Sequence, residues 1–275
     1  MLELEHITKS YKKSVFSNER IVVLDDVSLS IGAGETLGLI GSSGCGKTTL
    51  AKIAMRLTEP TSGKVIFDGR DITELRGAEM RKLRSKMQIM FQNPESALNP
   101  RMKIYDSIAE IMRLHHIYKR NSEEERARVK HLIDIVGLQE EHLSRVPSEL
   151  SGGQVQRAVL ARVLSLEPSF LIVDEPTSML DVSVQAQILQ ILKDAQKHLG
   201  FACLFISHNI GVINAVCDKV AVMQNGKIIE NELTEELMNN PKEEFAKTLI
   251  EKYREDYKFD FEERDKATCC LSAGI

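Results

Sequence analysis

The sequence lacks the features that mark membrane-spanning, secreted and nucleic-acid-binding proteins. No apolar run approaches the roughly 20 residues that a membrane span needs, and residues 1–5 do not resemble a signal peptide. The net charge is −4 and the isoelectric point is about 6.0, so we expect no broadly basic surface for nucleic acid. Any membrane association is therefore expected to be peripheral.

Cysteine is sparse and shows no pairing pattern. The five cysteines are odd in number and lack metal-ligand spacing, which favours a reduced, cytosolic setting over a disulfide framework or a zinc site. Cys269 and Cys270 are expected to be incidental surface thiols. The chain has 275 residues, of which 43% are hydrophobic, enough for one large domain or a domain with a subdomain.

A glycine-rich motif at residues 41–48 is the strongest positive feature. It has the form G-x-x-x-x-G-K-[ST] and lies between an apolar run at 36–40 and a segment of helical character at 49–55. Glycines let successive backbone N–H groups face a phosphate, and a helix N-terminus adds partial positive charge. Lys47 is predicted to reach the β- and γ-phosphates and the Thr48 hydroxyl to bind Mg²⁺. The predicted nucleotide-binding residues are Gly41, Ser42, Ser43, Gly44, Cys45, Gly46, Lys47, Thr48 and Thr49. The alternative is a glycine turn that binds no nucleotide.

Two carboxylates follow a second apolar run. Residues 170–173 read Phe-Leu-Ile-Val, as expected of a central strand in a parallel sheet, and Asp174 and Glu175 come next. In a doubly wound sheet the carboxyl end of such a strand lies beside the phosphate loop. Asp174 is therefore predicted to hold Mg²⁺, directly or through water, and Glu175 to polarise the attacking water. The alternative is an acidic strand end on the surface.

The first 70 residues have the patterns of short strands. Alternation over residues 2–8 predicts an edge strand, and Tyr11 follows in a polar segment that is interpreted as a loop. Residues 22–24 and 27–31 predict the two arms of a hairpin around Asp25 and Asp26. This region is therefore expected to be rich in antiparallel strands.

The middle of the chain has helical patterns. Ser122 and Glu125 have the spacing of a capping box, and Gly137 lies where the helix that they begin is expected to end. The charges at 123–128 are interpreted as the solvated side and first turn of that helix. After residue 165 the alternation of strands and helices resumes, with a buried strand predicted at 202–206 and a charged, loosely held tail predicted from Tyr253 onward.

The segment Leu-Ser-Gly-Gly-Gln at residues 150–154 identifies a family. Taken alone it is only a turn before a helix, but between the phosphate loop and the acidic strand it resembles the signature motif of ABC ATPases. In that family the motif faces the γ-phosphate held by a second cassette, a role suited to a helix N-terminus. The resemblance implies this role for Ser151, Gly152, Gly153 and Gln154. A chain with one motif of each kind would need a second cassette to complete two sites.

Other positions match the same family one by one. Tyr11 matches the aromatic residue that stacks on adenine, and Gln92 matches the glutamine that senses Mg²⁺ and water and faces the transmembrane partner. His208 matches the switch histidine that contacts the γ-phosphate, with Asn209 in place of the usual Asp. Residues 178–181 resemble the D-loop, with Met179 where Ala is commoner.

The resemblance covers residues 1 to about 240 and implies a fold. It implies an α/β protein with a P-loop NTPase core, the ABC ATPase cassette, an N-terminal antiparallel β-subdomain and an α-helical subdomain inserted at about 93–165. Residues 1–250 are expected to form this domain and 251–275 a charged tail. The implied cofactors are ATP and Mg²⁺. The implied catalytic residues are Lys47, Gln92, Glu175 and His208, and the implied Mg²⁺ ligands are Thr48, Gln92 and Asp174.

The resemblance also implies an activity and partners. It implies ATP hydrolysis that energises a membrane importer from the cytoplasmic face of the cell membrane, through closure of two cassettes on ATP and reopening on hydrolysis. The expected partners are a second ABC ATPase subunit (a paralogue rather than an identical copy), two transmembrane permeases and, indirectly, an extracytoplasmic substrate-binding protein. Nucleic acid is not an expected partner.

The transported substrate is addressed by four segments. Residues 92–101 and 180–189 resemble the ATPases of peptide and nickel importers, and residues 44–47 and 202–208 favour nickel over a dipeptide or oligopeptide. The alternatives outside transport are a soluble DNA-repair or chromosome ATPase, a translation-linked ABC protein and a phosphate-loop kinase. A DNA-repair or chromosome ATPase would be expected to show a coiled-coil insertion or zinc cysteines. A translation-linked protein would be expected to have a second cassette in the same chain, and a kinase to have no signature motif.

Overall fold

Two β-sheets and a helical segment make up the described residues, 1–13, 19–91, 94–176 and 181–254, of a computed structural model. The strands are β1 (Leu2–Lys12), β2 (Arg20–Ile31), β3 (Thr36–Gly41), β4 (Ser62–Phe67), β5 (Arg70–Asp71), β6 (Met87–Met90), β7 (Phe170–Asp174), β8 (Ala202–Ile206), β9 (Lys219–Gln224) and β10 (Lys227–Leu233). The helices are α1 (Lys47–Ala54), α2 (Gly77–Arg84), α3 (Ile104–Leu114), α4 (Glu123–Val136), α5 (Gly152–Leu164), α6 (Val182–Leu199), α7 (Ile210–Val216) and α8 (Thr234–Asn239). Residues 244–254 are also helical, so the prediction of a loosely held tail from Tyr253 onward is wrong for Tyr253 and Arg254.

The six-stranded sheet sets the position of the site. Its order is β10-β9-β3-β8-β7-β6, and every neighbouring pair is parallel except β9 with β10. The strand after which the glycine motif follows, β3, therefore lies in the middle of the sheet. All residues of β7 and β8 are buried, which confirms the central strands predicted from their apolar runs. Because these strands are parallel, the carboxyl ends of β3, β7 and β8 meet at one edge.

Alternate residues of this sheet belong to two different hydrophobic cores. On β7, Leu171 and Val173 pack with the helical segment, whereas Phe170 and Ile172 pack with α1 and the smaller sheet. This is the period of two that a strand covered on both faces produces. The rings of Phe67 in β4 and Phe170 in β7 meet edge to face, with centroids 6.4 Å apart, and so connect the two sheets.

The smaller sheet is antiparallel and corrects two of our predictions. Its order is β2-β1-β4-β5, so β1 is flanked on both sides and is not an edge strand. The predicted hairpin around Asp25 and Asp26 is wrong, because β2 continues through both residues. His6 and Asp26 both have positive φ, 52° and 55°, and the His6 Nδ1 and Asp26 Oδ1 atoms lie 2.8 Å apart. The paired strands thus absorb the irregularity as a bulge instead of turning back.

The helices between β6 and β7 confirm the predicted ends of α4 but not its predicted capping box. The Ser122 hydroxyl accepts a hydrogen bond from the Glu125 N–H, and Gly137 ends α4 with φ of 67°, as predicted. The interpretation of 123–128 as a solvated face is wrong for Glu125, which is 0% exposed. Its carboxylate accepts hydrogen bonds from Arg113, Tyr105 and the Asn121 N–H instead of completing the capping box.

None of the helices in the described ranges combines the length and the apolar character that crossing a bilayer requires.

Candidate nucleotide-binding site

A cleft of about 460 Å³ opens at the carboxyl edge of β3, β7 and β8. It is lined by Val23, Gly41, Ser43, Gly44, Gly46, Lys47, Thr48, Thr49, Asp174, Glu175 and His208. Four segments of the sequence therefore contribute to one cavity: β2 with Val23, the glycine loop with the start of α1, the acidic end of β7, and His208 after β8. Val23 is the lining residue that sequence reasoning missed, and nothing in its sequence context distinguishes it from its strand neighbours.

The shape of the glycine loop depends on the absence of side chains at two positions. A Cβ atom on Gly41 would lie 2.1 Å from the Met223 carbonyl oxygen of the neighbouring strand β9. Gly46 has φ of 113°, and a Cβ atom there would lie 2.8 Å from the Leu24 side chain. Larger residues would push the loop away from the sheet. The loop is therefore held close against β9 and β2, and α1 begins directly after it at Lys47.

The Lys47 side chain lies across this loop. Its Nζ atom donates hydrogen bonds to the carbonyl oxygens of Gly41, at 2.8 Å, and Ser42, at 3.0 Å, and it lies 3.8 Å from the Cys45 Sγ atom. Lys47 is buried although it is charged. An ammonium group has three donors, so it can hold the loop and also donate to an anion. The amino group is therefore already held beside the loop that is predicted to bind the phosphates.

Asp174 and Thr48 bring two oxygen ligands together. The Thr48 hydroxyl donates to Asp174 Oδ2 over 3.4 Å, and Asp174 is buried at the end of β7. Burial, together with the negative charge of Glu175, raises the pKa of the Asp174 carboxyl, while Thr48 and Lys47 oppose the rise. In the described ranges, no group of three His, Cys, Asp or Glu could hold a metal ion alone. A hydroxyl and a carboxylate fit Mg²⁺, which completes its shell with water and substrate phosphate.

Glu175 and His208 face each other across the same cleft. The His208 Nδ1 and Glu175 Oε1 atoms are 3.2 Å apart. Glu175 has φ of 47°, uncommon for a residue other than glycine, and its N–H donates to the Ile206 carbonyl of β8 over 2.9 Å. Such a conformation persists only where the surroundings enforce it, and it often accompanies function. The turn at Glu175 directs a carboxylate into the cleft beside the imidazole.

Asn209 has a structural task next to His208. Its side chain accepts a hydrogen bond from the Val212 N–H and so caps α7, and its own N–H donates to the Ser207 hydroxyl. Asn is among the preferred N-cap residues, so the replacement of the usual Asp preserves the start of the helix. The cap keeps His208 at the junction between β8 and α7.

Several predicted site residues do not line the cleft. Tyr11 is in β1 opposite Ile21, not in a loop, and its ring is 44% exposed with the Lys9 Nζ atom 4.9 Å from the centroid. Gln92 and residues 178–180 lie outside the described residues, as do Cys269 and Cys270. The predicted signature residues Ser151, Gly152, Gly153 and Gln154 lie at the start of α5, away from the cleft.

The signature segment is built as a helix cap. The Ser151 hydroxyl accepts from the Gln154 N–H, and the Gln154 Oε1 atom accepts from the Ser151 N–H over 2.9 Å. On its other side, Gln154 Nε2 lies 3.2 Å from Nε2 of the buried His142. His142 Nδ1 accepts from the Gln139 N–H over 3.1 Å, so a neutral imidazole presents a second donor to the Gln154 amide. His142 was missed, because the sequence gives no sign that this histidine reaches the motif.

Comparisons with known proteins agree with this geometry. The family model described as "ABC transporter" matches residues 24–178. The oligopeptide transport ATP-binding protein OppF of Bacillus subtilis is 41% identical over 254 residues, which cover 91% of this chain and 81% of OppF. The dipeptide transport ATP-binding protein DppF of Lactococcus lactis is 38% identical over 252 residues, with 91% and 80% covered.

Solved structures have the same fold. The ATP-binding cassette MJ0796, in a dimeric post-hydrolysis state bound to ADP and Pi, superimposes with a TM-score of 0.76 at 29% identity, over 85% of this chain and 99% of that one. CbiO1 of Clostridium perfringens, part of the transporter complex CbiONQ, also gives 0.76 at 29% identity, over 87% and 90%. The fold is thus the predicted α/β cassette with an antiparallel sheet and helical segments. The chain belongs to the ABC transporter family, as one of its ATP-hydrolysing cassettes.

Proposed function

We propose that this chain is the ATP-hydrolysing subunit of an importer of oligopeptides or dipeptides. The observation that carries the proposal is the cleft at the carboxyl edge of the sheet, where Lys47, Asp174, Glu175 and His208 converge. The names of OppF and DppF, which match over nine tenths of the chain, favour peptide as the cargo. They favour it over nickel, which the sequence segments at 44–47 and 202–208 had led us to expect.

In the proposed mechanism the glycine loop binds the triphosphate. Backbone N–H groups of the loop and of the first turn of α1 donate to phosphate oxygens, and Lys47 adds a charge-assisted hydrogen bond. Thr48 and Asp174 are the residues that would hold Mg²⁺, with Gln92 as a predicted third ligand. When bound, the cation neutralises charge that develops on the phosphate oxygens. A bound cation would also offset the negative charge of the buried Asp174 carboxylate.

Glu175 and His208 act on the terminal phosphate. We assign to Glu175 the orientation and polarisation of the attacking water, because its carboxylate enters the cleft and is held by the turn at its own backbone. The imidazole of His208 contacts that carboxylate at Nδ1, which leaves Nε2 free to reach the γ-phosphate. General-base assistance of this kind contributes about a hundred- to ten-thousandfold to a rate.

A second cassette completes the site. The signature residues at the start of α5 are not part of this chain's own cleft, so they can serve only a nucleotide bound elsewhere. We propose that Ser151 and the following glycine N–H groups bind the γ-phosphate held by a paralogous cassette. The signature motif of that cassette in turn binds the γ-phosphate held in the cleft of this chain. ATP then holds the two cassettes together, and hydrolysis releases them. Tyr11, exposed on β1, is assigned to adenine stacking.

The proposed setting is the cytoplasmic face of the membrane, on two permease subunits that receive cargo from an extracytoplasmic binding protein. Residues of this chain are not expected to touch the cargo. The test is ATP turnover of the chain reconstituted in vesicles with its neighbouring permeases and partner cassette. A binding protein loaded with a peptide should stimulate turnover, whereas the same binding protein with nickel should not.

The outcome separates three readings of the same fold. Stimulation by nickel alone would restore the nickel importer. Stimulation by DNA, with no response to either cargo and no co-purifying permease, would replace the importer with a soluble ABC ATPase.

A further inference from the structure

The helix at residues 244–254 shares a hydrophobic core with α7, the helix that follows His208, and contacts it through Tyr253. Ala246 and Ile250 are buried in the core that also contains Ile210 and Ile213 of α7. Leu249 and Tyr253 are partly buried and pack against the same core. Positions 246, 249, 250 and 253 have the spacing of one helical face. This helix is therefore docked on the protein by a continuous apolar face that ends at Tyr253.

Tyr253 meets α7 at a glycine. A Cβ atom built on Gly211 would lie 3.0 Å from Tyr253 Cε2 and 3.5 Å from its hydroxyl oxygen. Gly211 does not have positive φ, so its backbone does not require glycine. Glycine inside a helix destabilises it by about 1 kcal/mol relative to alanine. A side chain at 211 would disturb two contacts: it would press on the Tyr253 ring and approach the Asn209 Oδ1 atom that caps α7.

The same turn of α7 holds His208. The Asn209 Oδ1 atom, which caps the helix, lies 3.1 Å from the Cβ position of Gly211. Tyr253, Gly211 and Asn209 therefore meet within the first turn, and His208 precedes that turn directly. On its other side Tyr253 borders an open cleft of about 500 Å³ between α7, α8 and the final helix. Without the ring, the first turn of α7 would have room to move.

We propose that Tyr253 is a positioning residue: its ring fixes the first turn of α7 and thereby holds the His208 imidazole against Glu175. The inference rests on the role proposed above for His208. It adds a mechanical connection between the last described helix and the catalytic cleft. A displacement of about 1 Å at a catalytic group can reduce a rate by up to about a hundredfold.

A double-mutant cycle tests the contact. Gly211→Ala places a methyl group against the ring and should lower ATP turnover about tenfold by displacing the turn. Tyr253→Ala should lower turnover by a smaller factor, because the turn loses its support but is not pushed. The double variant should fall close to Tyr253→Ala and not to Gly211→Ala, because the methyl group then has the vacated space of the ring on one side and only its approach to Asn209 Oδ1 remains. In all three variants ATP affinity, measured with a fluorescent analogue, should stay within about twofold of wild type.

Control variants separate positioning from general loss of stability. Tyr253→Phe retains the ring and should retain turnover. Phe245→Ala removes core packing from the same helix at a distance from Gly211, and it should also retain turnover. An equal loss in Phe245→Ala, or a Gly211→Ala loss that Tyr253→Ala does not relieve, would overturn the inference alone. His208→Ala tests the proposed function. Normal turnover in this variant would overturn both the proposed function and the role of Tyr253, whereas lost turnover supports the proposed function and leaves the double-mutant cycle to decide on Tyr253.

Discussion

The glycine loop and the signature segment each lead into a helix N-terminus suited to phosphate, yet they are built differently. In the cleft, the loop is pressed against β9, Lys47 is hydrogen-bonded across it, and Asp174 and Glu175 close the opposite wall. At the signature segment, Ser151 and Gly152 are exposed at the start of α5, and their interactions are local to the helix cap.

The difference shows which part of the site is prepared in a single chain. The cleft gathers residues from four segments around one cavity, so its geometry is set when the chain folds. The signature segment rests on its helix cap and on the contact of Gln154 with His142, and we assign its phosphate to a second cassette. Substitutions in the cleft should therefore affect a monomer, whereas those at the signature segment should affect only steps that need two cassettes.

The largest effect is expected from Glu175→Gln. The amide keeps the size of the side chain but cannot polarise water, so turnover should fall about a hundred- to ten-thousandfold. ATP binding should persist, and a closed dimer should accumulate with Mg-ATP in size-exclusion chromatography. Glu251→Gln, at an exposed position of the final helix, is the control for loss of a charge. Near-normal turnover in Glu175→Gln would remove this residue from its assigned role.

Ser151→Arg examines the other half of the comparison. The bulky cation should leave ATP affinity of the monomer within about twofold of wild type but prevent closure, because we assign the residue to the site of the second cassette. Ser122→Arg is the matched control, since Ser122 caps α4 as Ser151 caps α5 and its loss should cost a similar stability, about 1 kcal/mol. An ATP-driven dimer of normal strength in Ser151→Arg would contradict a role between subunits.

The same contrast explains how much could be predicted from the sequence. The glycine loop, the strand ending at Asp174 and the helix starts at Ser122 and Ser151 depend on neighbouring residues, and each was predicted. The continuous β2 was missed because the positive φ of Asp26 serves a contact with His6, far away in the sequence. The contacts of Tyr253 with Gly211 and of His142 with Gln154 are also long-range. Local pattern thus found most of the residues that line the cleft but not the long-range contacts that support them.

The local sequence pattern did not reveal that Glu125 is buried. Its environment leads to a prediction about the pH dependence of the stability of the fold. The Arg113 guanidinium, with Tyr105 and the Asn121 N–H, lowers the pKa of the buried Glu125 carboxyl to about 2 from an ordinary value of 4.5. A lowered pKa stabilises the folded state above the ordinary value, and this contribution is lost as the pH falls from about 5 towards 2.

Glu125→Gln should therefore destabilise the helices around the signature segment at neutral pH, by about 3 kcal/mol, because it leaves Arg113 without its buried partner. The difference from wild type should shrink as the pH falls from 5 to 3, which urea denaturation at the two pH values measures. Monomer ATP affinity should be unchanged, since Glu125 is not in the cleft. Glu123→Gln, at an exposed position of the same turn, is the control. A pH-independent difference would show that the pair is not what stabilises α4.

The smallest effect is expected from Gln154→Glu, which addresses the hydrogen bonds behind the signature segment. Gln154 lies between two donors, the Ser151 N–H and the Nε2–H of neutral His142, and one amide oxygen cannot accept from both in this geometry. Turning the amide over only moves the conflict to Ser151. A carboxylate accepts from both and suits a helix N-terminus, so the variant should be more stable by about 1 kcal/mol. The gain should shrink in a His142→Phe background, and an equal gain there would mean that the helix dipole alone produces it. ATP-driven closure should nevertheless weaken, because the new charge faces an incoming phosphate. A more stable chain that closes less well would show that the native amide leaves one donor unmatched in order to keep the signature surface neutral.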